Sequence, residues 1–250
     1  MKPPLSWIHG LGAIAALLSV HPANASIIFD NFNTDEGHFA SAPNFSGTTV
    51  GEDAATSADH ILIEGPFEGA GHQKLTLIHD ATSTAFRLRH LSGGGTVANN
   101  IAFPITAGED GFIGFYLKTT ATGWQTSINL DGAGGAITEM DGSSSLEIIA
   151  DGEWHLYEWD LDSTSLWGAV PGITSNTHGG SLPFGTHTID SIYFRDLDGS
   201  PGPTADIYLD FVAKSDSGSV AALVIPEPST LGLATAGLLA LATRRRGRLS

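Results

Sequence analysis

Short segments of alternating apolar and polar residues constrain the fold of this chain more than any other feature. Between residues 26 and 214, apolar side chains recur two positions apart in many segments, among them Ile113-Phe115-Leu117, Tyr157-Trp159-Leu161 and Ile207-Leu209-Phe211. A period of two is typical of β-strands with one buried face, whereas a helix repeats about every 3.6 residues. Gly- and Asp-rich turns separate the segments. The sequence therefore predicts an all-β fold, an antiparallel two-sheet β-sandwich.

We expect residues 26–214 to form one domain, because no internal repeat of fixed period divides them. The chain has no cysteine, so the sandwich cannot use disulfide bonds and has to be held by its core or by a metal ion. Residues 215–223 are small and polar, which predicts a linker to a separate C-terminal tail over residues 224–250.

The charge of the chain is strongly acidic outside its terminal segments. Residues 26–225 carry 26 acidic and 6 basic groups, a formal charge of −20. Nucleic acid is excluded as a partner, because binding to phosphates requires Lys and Arg to replace counterions. The charge is compatible with a soluble extracellular protein, with binding of divalent cations, or with a saline habitat.

The first 25 residues have the order of a secretory signal peptide. Lys2 is followed by an apolar segment from Leu11 to Val20 and then by Ala23-Asn24-Ala25. Small residues two apart after an apolar helix are the pattern that signal peptidase cleaves. We therefore predict a signal helix over residues 1–25, cleavage after Ala25, and a mature chain that starts at Ser26.

The C-terminal tail combines a rigid turn, an apolar segment and a basic cluster. Pro226-Glu227-Pro228 precedes the twelve apolar and small residues from Leu231 to Ala242, and Arg244, Arg245 and Arg246 follow. Proline disfavours helix on its N-terminal side, so an apolar helix is expected to start after Pro228. Twelve helical residues rise about 18 Å, which is short of a hydrocarbon layer of about 30 Å. The tail is thus suited to transient insertion into an inner membrane, with its arginines on the cytoplasmic side.

This tail resembles the PEP-CTERM sorting signal of Gram-negative bacteria, in which the same three elements occur in the same order. The resemblance implies recognition of Pro226, Glu227 and Pro228 by an exosortase-type transpeptidase. The enzyme would remove the tail and pass the protein to the cell surface or to extracellular polysaccharide. A plain C-terminal membrane anchor without processing is the alternative.

Two segments of the sandwich resemble lectin-like and carbohydrate-binding jelly rolls. Asp151-Gly-Glu-Trp-His155 is similar to a strand of lectin-like sandwiches, and residues 189–194 with 207–211 are similar to the closing strands of carbohydrate-binding jelly rolls. The resemblance implies a jelly-roll, lectin-like sandwich with extracellular polysaccharide as a partner.

In those jelly rolls, an acidic residue on the last strand and one on the first strand often bind a structural calcium ion. Asp210 and Asp30 occupy these positions here. Alternation predicts that Asp210 faces away from Leu209 and Phe211, so the alternative is an exposed carboxylate on a sheet face. The resemblance implies a possible structural Ca²⁺ held by Asp30 and Asp210, and no other cofactor is expected.

Three carboxylates alternate along one predicted strand, at Glu158, Asp160 and Asp162. They are similar to the Glu-x-Asp-x-Glu signature of lectin-fold retaining β-glucanases, whose outer two acids act as nucleophile and acid/base. Asp162 is shorter than the glutamate of that signature, and retention requires two carboxyl groups about 5–5.5 Å apart. The alternative is an acidic, solvent-facing strand without catalysis.

Four tryptophans are candidates for stacking on sugar rings, because an aromatic face suits the C–H side of a pyranose. They are Trp124, Trp154, Trp159 and Trp167. Trp124 follows Gly123 in a turn-like stretch and is expected to be the exposed one. The sequence favours a noncatalytic, surface-sorted structural or adhesive protein. The alternatives are a carbohydrate-binding module and a retaining β-glucan hydrolase.

Overall fold

Two antiparallel sheets account for the regular structure of this protein, which confirms the predicted all-β sandwich. The computed structural model describes residues 26–62, 65–95, 99–106, 108, 111–132, 140–170, 180–197 and 204–224. The strands in these residues are β1 (Ile27–Asp30), β2 (Ser57–Ile61), β3 (His72–Leu77), β4 (Arg87–Leu91), β5 (Ala102–Ile105), β6 (Phe112–Thr119), β7 (Trp124–Gly132), β8 (Asp141–Ser143), β9 (Leu146–Glu147), β10 (His155–Asp160), β11 (Trp167–Gly168), β12 (Gly185–Asp196) and β13 (Ala205–Lys214).

The only helical turns in the described part of the chain are short 3₁₀ segments. They are Gly37–Phe39, Pro43–Phe45, Gly93–Gly95 and Val220–Leu223. Among the residues that the structure describes, no helix has the length and apolar character required to cross a membrane.

Sheet A has the strand order β10-β6-β13-β3-β2, and β1 pairs with the end of β13. Sheet B has the order β11-β8-β7-β12-β4, with β5 beside β12 and β9 beside β7. The inner faces of the two sheets enclose one apolar core, which includes Phe115, Trp159, Leu209 and Ile192. The core side chains alternate along the strands, as the period of two predicts.

A buried polar link joins the two sheets inside this core. His90 of β4 lies 2.7 Å from Gln73 Oε1 of β3 through its Nε2 atom, and Gln73 Nε2 donates to the carbonyl of Phe39 at 2.9 Å. His90 is fully buried, and burial lowers its pKa to about 4 because the charged imidazole would lose its hydration.

Strand β13 breaks its alternation near its end. Its register with β6 shifts between Asp210 and Ala213, and Phe211 has a φ of 50°. A left-handed conformation at a non-glycine residue is unfavourable, so this bulge is a local strain that the surrounding structure supports. Phe211 turns to the outer face of sheet A and packs with Tyr116. The prediction that Asp210 and Phe211 face opposite sides of the sheet is therefore wrong.

The segment predicted as a linker, residues 215–223, packs on sheet A instead of extending away from it. Ser215 donates its N–H to the carbonyl of Phe112 at 2.8 Å, and Gly218 forms a parallel bridge with Gly111. Val220 is completely buried on the outer face of the sheet. We call the apolar group around it the outer cluster; its members are Tyr116, Phe211, Ala213 and Val220, with Phe67, Phe112, Trp154, Leu156, Leu223 and Val224 packed against them.

Several predictions concern residues outside the described part of the chain. They are the signal helix over residues 1–25 with Ala23 and Ala25, and the sorting residues Pro226, Glu227, Pro228, Arg244, Arg245 and Arg246. Ser26, the predicted first residue after cleavage, is described. Its hydroxyl donates to Asp216 Oδ1 at 2.6 Å, next to the docked C-terminal segment.

Candidate functional site

A row of alternating lysine and aromatic side chains crosses three strands on the outer face of sheet A and ends directly before a fourth. Tyr208 of β13 pairs with Lys74 of β3 on one side and with Lys118 of β6 on the other. Trp154, directly before β10, lies beside Lys118. We call Lys74, Tyr208, Lys118 and Trp154 the lysine–aromatic row. All four side chains are partly exposed.

The lysines of the row lie against its aromatic rings. Lys118 Nζ is 4.9 Å from the ring centroid of Trp154 and 4.8 Å from that of Tyr208. Both distances are within the range of a cation–π interaction. Lys74 Nζ is 5.8 Å from the Tyr208 ring and 3.0 Å from Asp206 Oδ2. The ammonium groups are therefore held close to the sheet surface.

Neighbouring groups hold the rings of the row in place. The buried His72 ring is edge-on to Tyr208 at 5.3 Å and to Trp154 at 5.7 Å. The indole Nε1 of Trp154 donates to the carbonyl of Gly65 at 3.2 Å. Rings that are oriented before a ligand arrives lose less conformational entropy on binding. The row is thus a preorganised surface.

Trp124, the tryptophan expected to be exposed, is in the core. Its side chain is 5 % exposed and packs edge-on against Phe86 with ring centroids 5.1 Å apart. The prediction of an exposed ring at Trp124 is wrong, because this residue begins β7 with its side chain on the inner face. Trp159 and Trp167 are also buried, and their indole N–H groups donate to backbone carbonyls.

Sequence reasoning prefers Trp124 to Trp154 as the exposed tryptophan, although a signal for Trp154 exists. Trp154 is an even number of positions away from Glu158 and Asp160, so it lies on their strand face. The buried Tyr157 and Trp159 alternate with them and lie on the opposite face. A tryptophan on the acidic face of a half-buried strand points outward. The pairing of Lys118 with Tyr208 could not be derived from the sequence, because it depends on which strands are neighbours.

Glu158 holds the docked C-terminal segment. Its Oε2 accepts a hydrogen bond from Ser219 Oγ at 2.9 Å and from the Val220 N–H at 2.8 Å. The second contact satisfies a backbone donor at the start of the 3₁₀ turn Val220–Leu223, in the way of a helix cap. Glu158 is thus engaged in binding the chain itself.

The three candidate catalytic carboxylates do not share one strand face. Strand β10 ends at Asp160, and Asp162 lies in the following turn. Asp160 Oδ1 accepts the N–H of Asp162 at 3.0 Å, which is a local turn contact. The expectation that alternation continues to Asp162 is wrong, and the arrangement gives no support to a nucleophile and acid/base pair of Glu158 and Asp162.

Asp210, one of the two predicted calcium ligands, anchors a neighbouring loop. Its Oδ2 accepts the N–H groups of Phe67 and Glu68 at 2.9 and 3.1 Å, and its Oδ1 accepts that of Phe211 at 2.7 Å. Burial raises the pKa of Asp210 to about 7, whereas the three N–H contacts favour the ionised form and lower it.

Asp30 is arranged in the same way. Its Oδ1 accepts the N–H of Phe32 at 2.9 Å, and its Oδ2 accepts that of His38 at 2.5 Å. Burial raises the pKa of Asp30 as well. Phe32 and Phe211 are the two non-glycine residues of the described chain with positive φ, and each is hydrogen-bonded to one of these aspartates.

The two aspartates therefore support strained backbone, and their oxygens already accept backbone N–H groups. N–H groups that point at a carboxylate compete with a cation for its oxygens. Within the described residues, no group of three or more His, Asp or Glu side chains could hold a metal ion. Calcium binding by Asp30 and Asp210 stays a prediction that needs a direct test.

Residues 224–246 match the family model of the PEP-CTERM protein-sorting motif. The chain carries a PEP-CTERM sorting motif. The motif begins at Val224, which packs against the outer cluster. It indicates export and membrane-associated sorting, and an N-terminal signal peptide is consistent with it. The predicted resemblance of the tail is confirmed.

Among solved structures, the sandwich is similar to carbohydrate-binding modules. The family 11 module of the cellulosomal cellulase Lic26A-Cel5E of Clostridium thermocellum is 13 % identical with a TM-score of 0.42, over 78 % of this chain and 96 % of that one. A family 30 carbohydrate-binding module is 8 % identical with a TM-score of 0.44, over 78 % and 89 %. An exo-β-agarase is 9 % identical with a TM-score of 0.40, over 77 % of this chain and 26 % of the agarase.

These similarities are too low to bear on what the chain binds. A search of curated proteins found no match.

Proposed function

We propose that this is a noncatalytic exported protein that its PEP-CTERM tail directs to the cell surface or extracellular matrix of a Gram-negative bacterium. The observation that carries the proposal is the sorting motif at residues 224–246. The partner would be an exosortase-type transpeptidase, which recognises Pro226-Glu227-Pro228 while the apolar segment is transiently inserted in the inner membrane. The body would then be a jelly-roll sandwich with a structural or adhesive role.

The test is the intact mass of the protein recovered from its native cell surface and medium, compared with a Pro226-Glu227-Pro228→Ala variant. We expect a native form that starts at Ser26 and ends near residue 226, and a variant that keeps its tail in the membrane fraction. A native form that still contains Arg244 to Arg246 would identify an unprocessed membrane anchor and overturn the exosortase proposal.

A second candidate function, polysaccharide binding, is favoured by the lysine–aromatic row. Partly exposed rings held at fixed orientations suit the C–H faces of sugar rings, and the ammonium groups beside them can donate to sugar oxygens. Surface attachment to extracellular polysaccharide would give the sorted protein its adhesive role. Binding to a glycan array, weakened by Trp154→Ala, would support this function, and an empty array would contradict it.

Hydrolysis is the least supported of the three alternatives. Glu158 is occupied by Ser219 and Val220, and Asp162 lies beyond the end of β10. A reducing-sugar assay on a broad panel of β-glucans, with Glu158→Gln as a control, decides this alternative. Wild-type activity that the variant loses would revive it.

A further inference from the structure

The lysine–aromatic row concentrates positive charge on a strongly acidic protein. Residues 26–225 contain only 6 basic groups against 26 acidic ones, and two of the six, Lys74 and Lys118, lie in this one row. Charges further away than about 8–10 Å are largely screened at physiological ionic strength. A ligand on the row therefore interacts mainly with these lysines and with the acids directly beside them.

Acidic side chains flank the row at both ends, since Asp59 and Asp206 lie beside Lys74 and the exposed Glu153 directly precedes Trp154. Asp206 binds Lys74 at 3.0 Å, and the exposed Asp59 of β2 is opposite Lys74. At the other end, Lys118 lies between the rings of Tyr208 and Trp154. An anionic group that contacts Lys118 would thus lie beside both rings of the row.

The spacing of the row suits a chain that runs across the strands. Neighbouring strands are about 4.8 Å apart, so Lys74 and Lys118, with Tyr208 between them, are about 10 Å apart at the backbone. A sugar ring is about as long as one strand spacing. Successive sugars laid across sheet A would therefore meet rings and ammonium groups in turn.

We propose that the row binds an acidic polysaccharide, with a carboxylate or sulfate group at Lys118 and neighbouring sugar rings against Tyr208 and Trp154. This inference rests on the proposed polysaccharide attachment and names the charge class of its ligand. A neutral glycan would use the two rings and, at Lys118, only a hydrogen bond that a glutamine can also donate, which separates the two cases experimentally.

The experiment measures binding of the full-length protein to acidic polysaccharides, each paired with its charge-neutralised form. Carboxylated members are carboxyl-reduced and sulfated members are desulfated, so the backbone stays the same. We expect at least one acidic member to bind and its neutral form to bind at least fivefold more weakly. Lys118→Gln should raise the Kd for the acidic form about two- to fivefold, as for a partly exposed ion pair, and leave binding of the neutral form unchanged.

Two further variants locate the site. Trp154→Ala should weaken binding of both forms at least about tenfold, as expected for a central aromatic contact. Arg195→Gln, which removes one positive charge from sheet B, should change neither. Thermal unfolding of every variant verifies that it is folded, and Tyr208→Leu replaces Trp154→Ala if the latter is not.

The outcomes distinguish the acidic-ligand proposal from the polysaccharide attachment on which it rests. Equal binding of acidic and neutral forms would overturn the acidic-ligand proposal and leave polysaccharide attachment intact. Acidic binding that Lys118→Gln does not weaken would place the site elsewhere and overturn the row as its location. Binding of no member, acidic or neutral, would overturn polysaccharide attachment itself.

Discussion

The outer faces of the two sheets both carry basic side chains but use them differently. On sheet B, the guanidinium of Arg89 forms two hydrogen bonds with Asp190, from Nε at 2.7 Å and from Nη2 at 2.5 Å. The side chains of this pair are 11 % and 6 % exposed. On sheet A, Lys74 and Lys118 lie partly exposed against aromatic rings.

The reason for the difference is what covers each face. Thr48 lies over Arg89 on sheet B, and Met140 and Val170 bury Tyr193 of β12. On sheet A, the loop around Phe67 and the docked segment around Val220 cover only the part near the outer cluster. The covered cation Arg89 serves the fold, whereas Lys74 and Lys118 keep part of their side chains exposed.

The largest expected effect comes from breaking the buried pair on sheet B. Arg89→Met leaves the Asp190 carboxylate buried without its cation and should lower the free energy of unfolding by about 3–5 kcal/mol. Urea unfolding measures this loss. The same change on sheet A, Lys118→Met, is the matched control and should cost less than about 1 kcal/mol. Similar losses in both variants would contradict the contrast between the faces.

The free energy of unfolding is expected to depend on pH, because His90 lies buried between the sheets. Its folded pKa of about 4 is below the unfolded value of 6.5, so the unfolded state binds more protons between these values. The stability from neutral His90 is fully present above pH 6.5 and is lost as the pH falls towards 4, by about 3 kcal/mol in total.

A His90→Gln variant tests this pH effect, because glutamine keeps a donor for Gln73 and does not titrate. Unfolding free energies at pH 7, 5.5 and 4.5 should fall more steeply for the wild type than for the variant. Parallel pH profiles would show that His90 is not buried in its neutral form.

On sheet A, the covered part depends on Glu158. Glu158→Gln weakens a charge-assisted contact to Ser219 and Val220 and should lower the free energy of unfolding by about 1 kcal/mol. Limited proteolysis with an enzyme that cuts after apolar residues should then cleave between residues 220 and 224 faster. Glu147→Gln, at an exposed position of β9, is the control. Equal cleavage rates in the two variants would mean that Glu158 does not hold this segment.

The sequence predicts the layers of this fold well and its outer surfaces poorly. The period of two in β6 and β10 places Phe115 and Trp159 in the core, because burial of one strand face depends on local alternation alone. The lysine–aromatic row depends on β3, β13 and β6 being neighbours, which alternation does not encode. The docking of residues 215–224 depends on long-range partners, among them Glu158, Phe112 and Gly111, and a small polar composition by itself indicates a linker.

The bulge at Phe211 shows a second limit. A single inserted residue reverses the facing of everything that follows it, and nothing in the residue types of β13 marks the position. Asp210 was therefore assigned correctly to the outer face, whereas Phe211 was not. Asp210 is buried on that face, where its oxygens accept N–H groups from Phe211 at the bulge and from Phe67 of the neighbouring loop.

The smallest expected effect is that of added Ca²⁺ on the unfolding temperature. This measurement tests the aspartates Asp30 and Asp210. Asp30 and Asp210 already accept backbone N–H groups near Phe32 and Phe211. A ligand that binds only the folded state stabilises it in proportion to the logarithm of its concentration over Kd, so a bound Ca²⁺ would raise the unfolding temperature. We expect a shift of less than about 1 °C between excess EDTA and millimolar Ca²⁺, since the N–H groups would have to be displaced. A rise of several degrees that Asp210→Asn abolishes would show that these aspartates bind calcium and that the described hydrogen bonds give way to it.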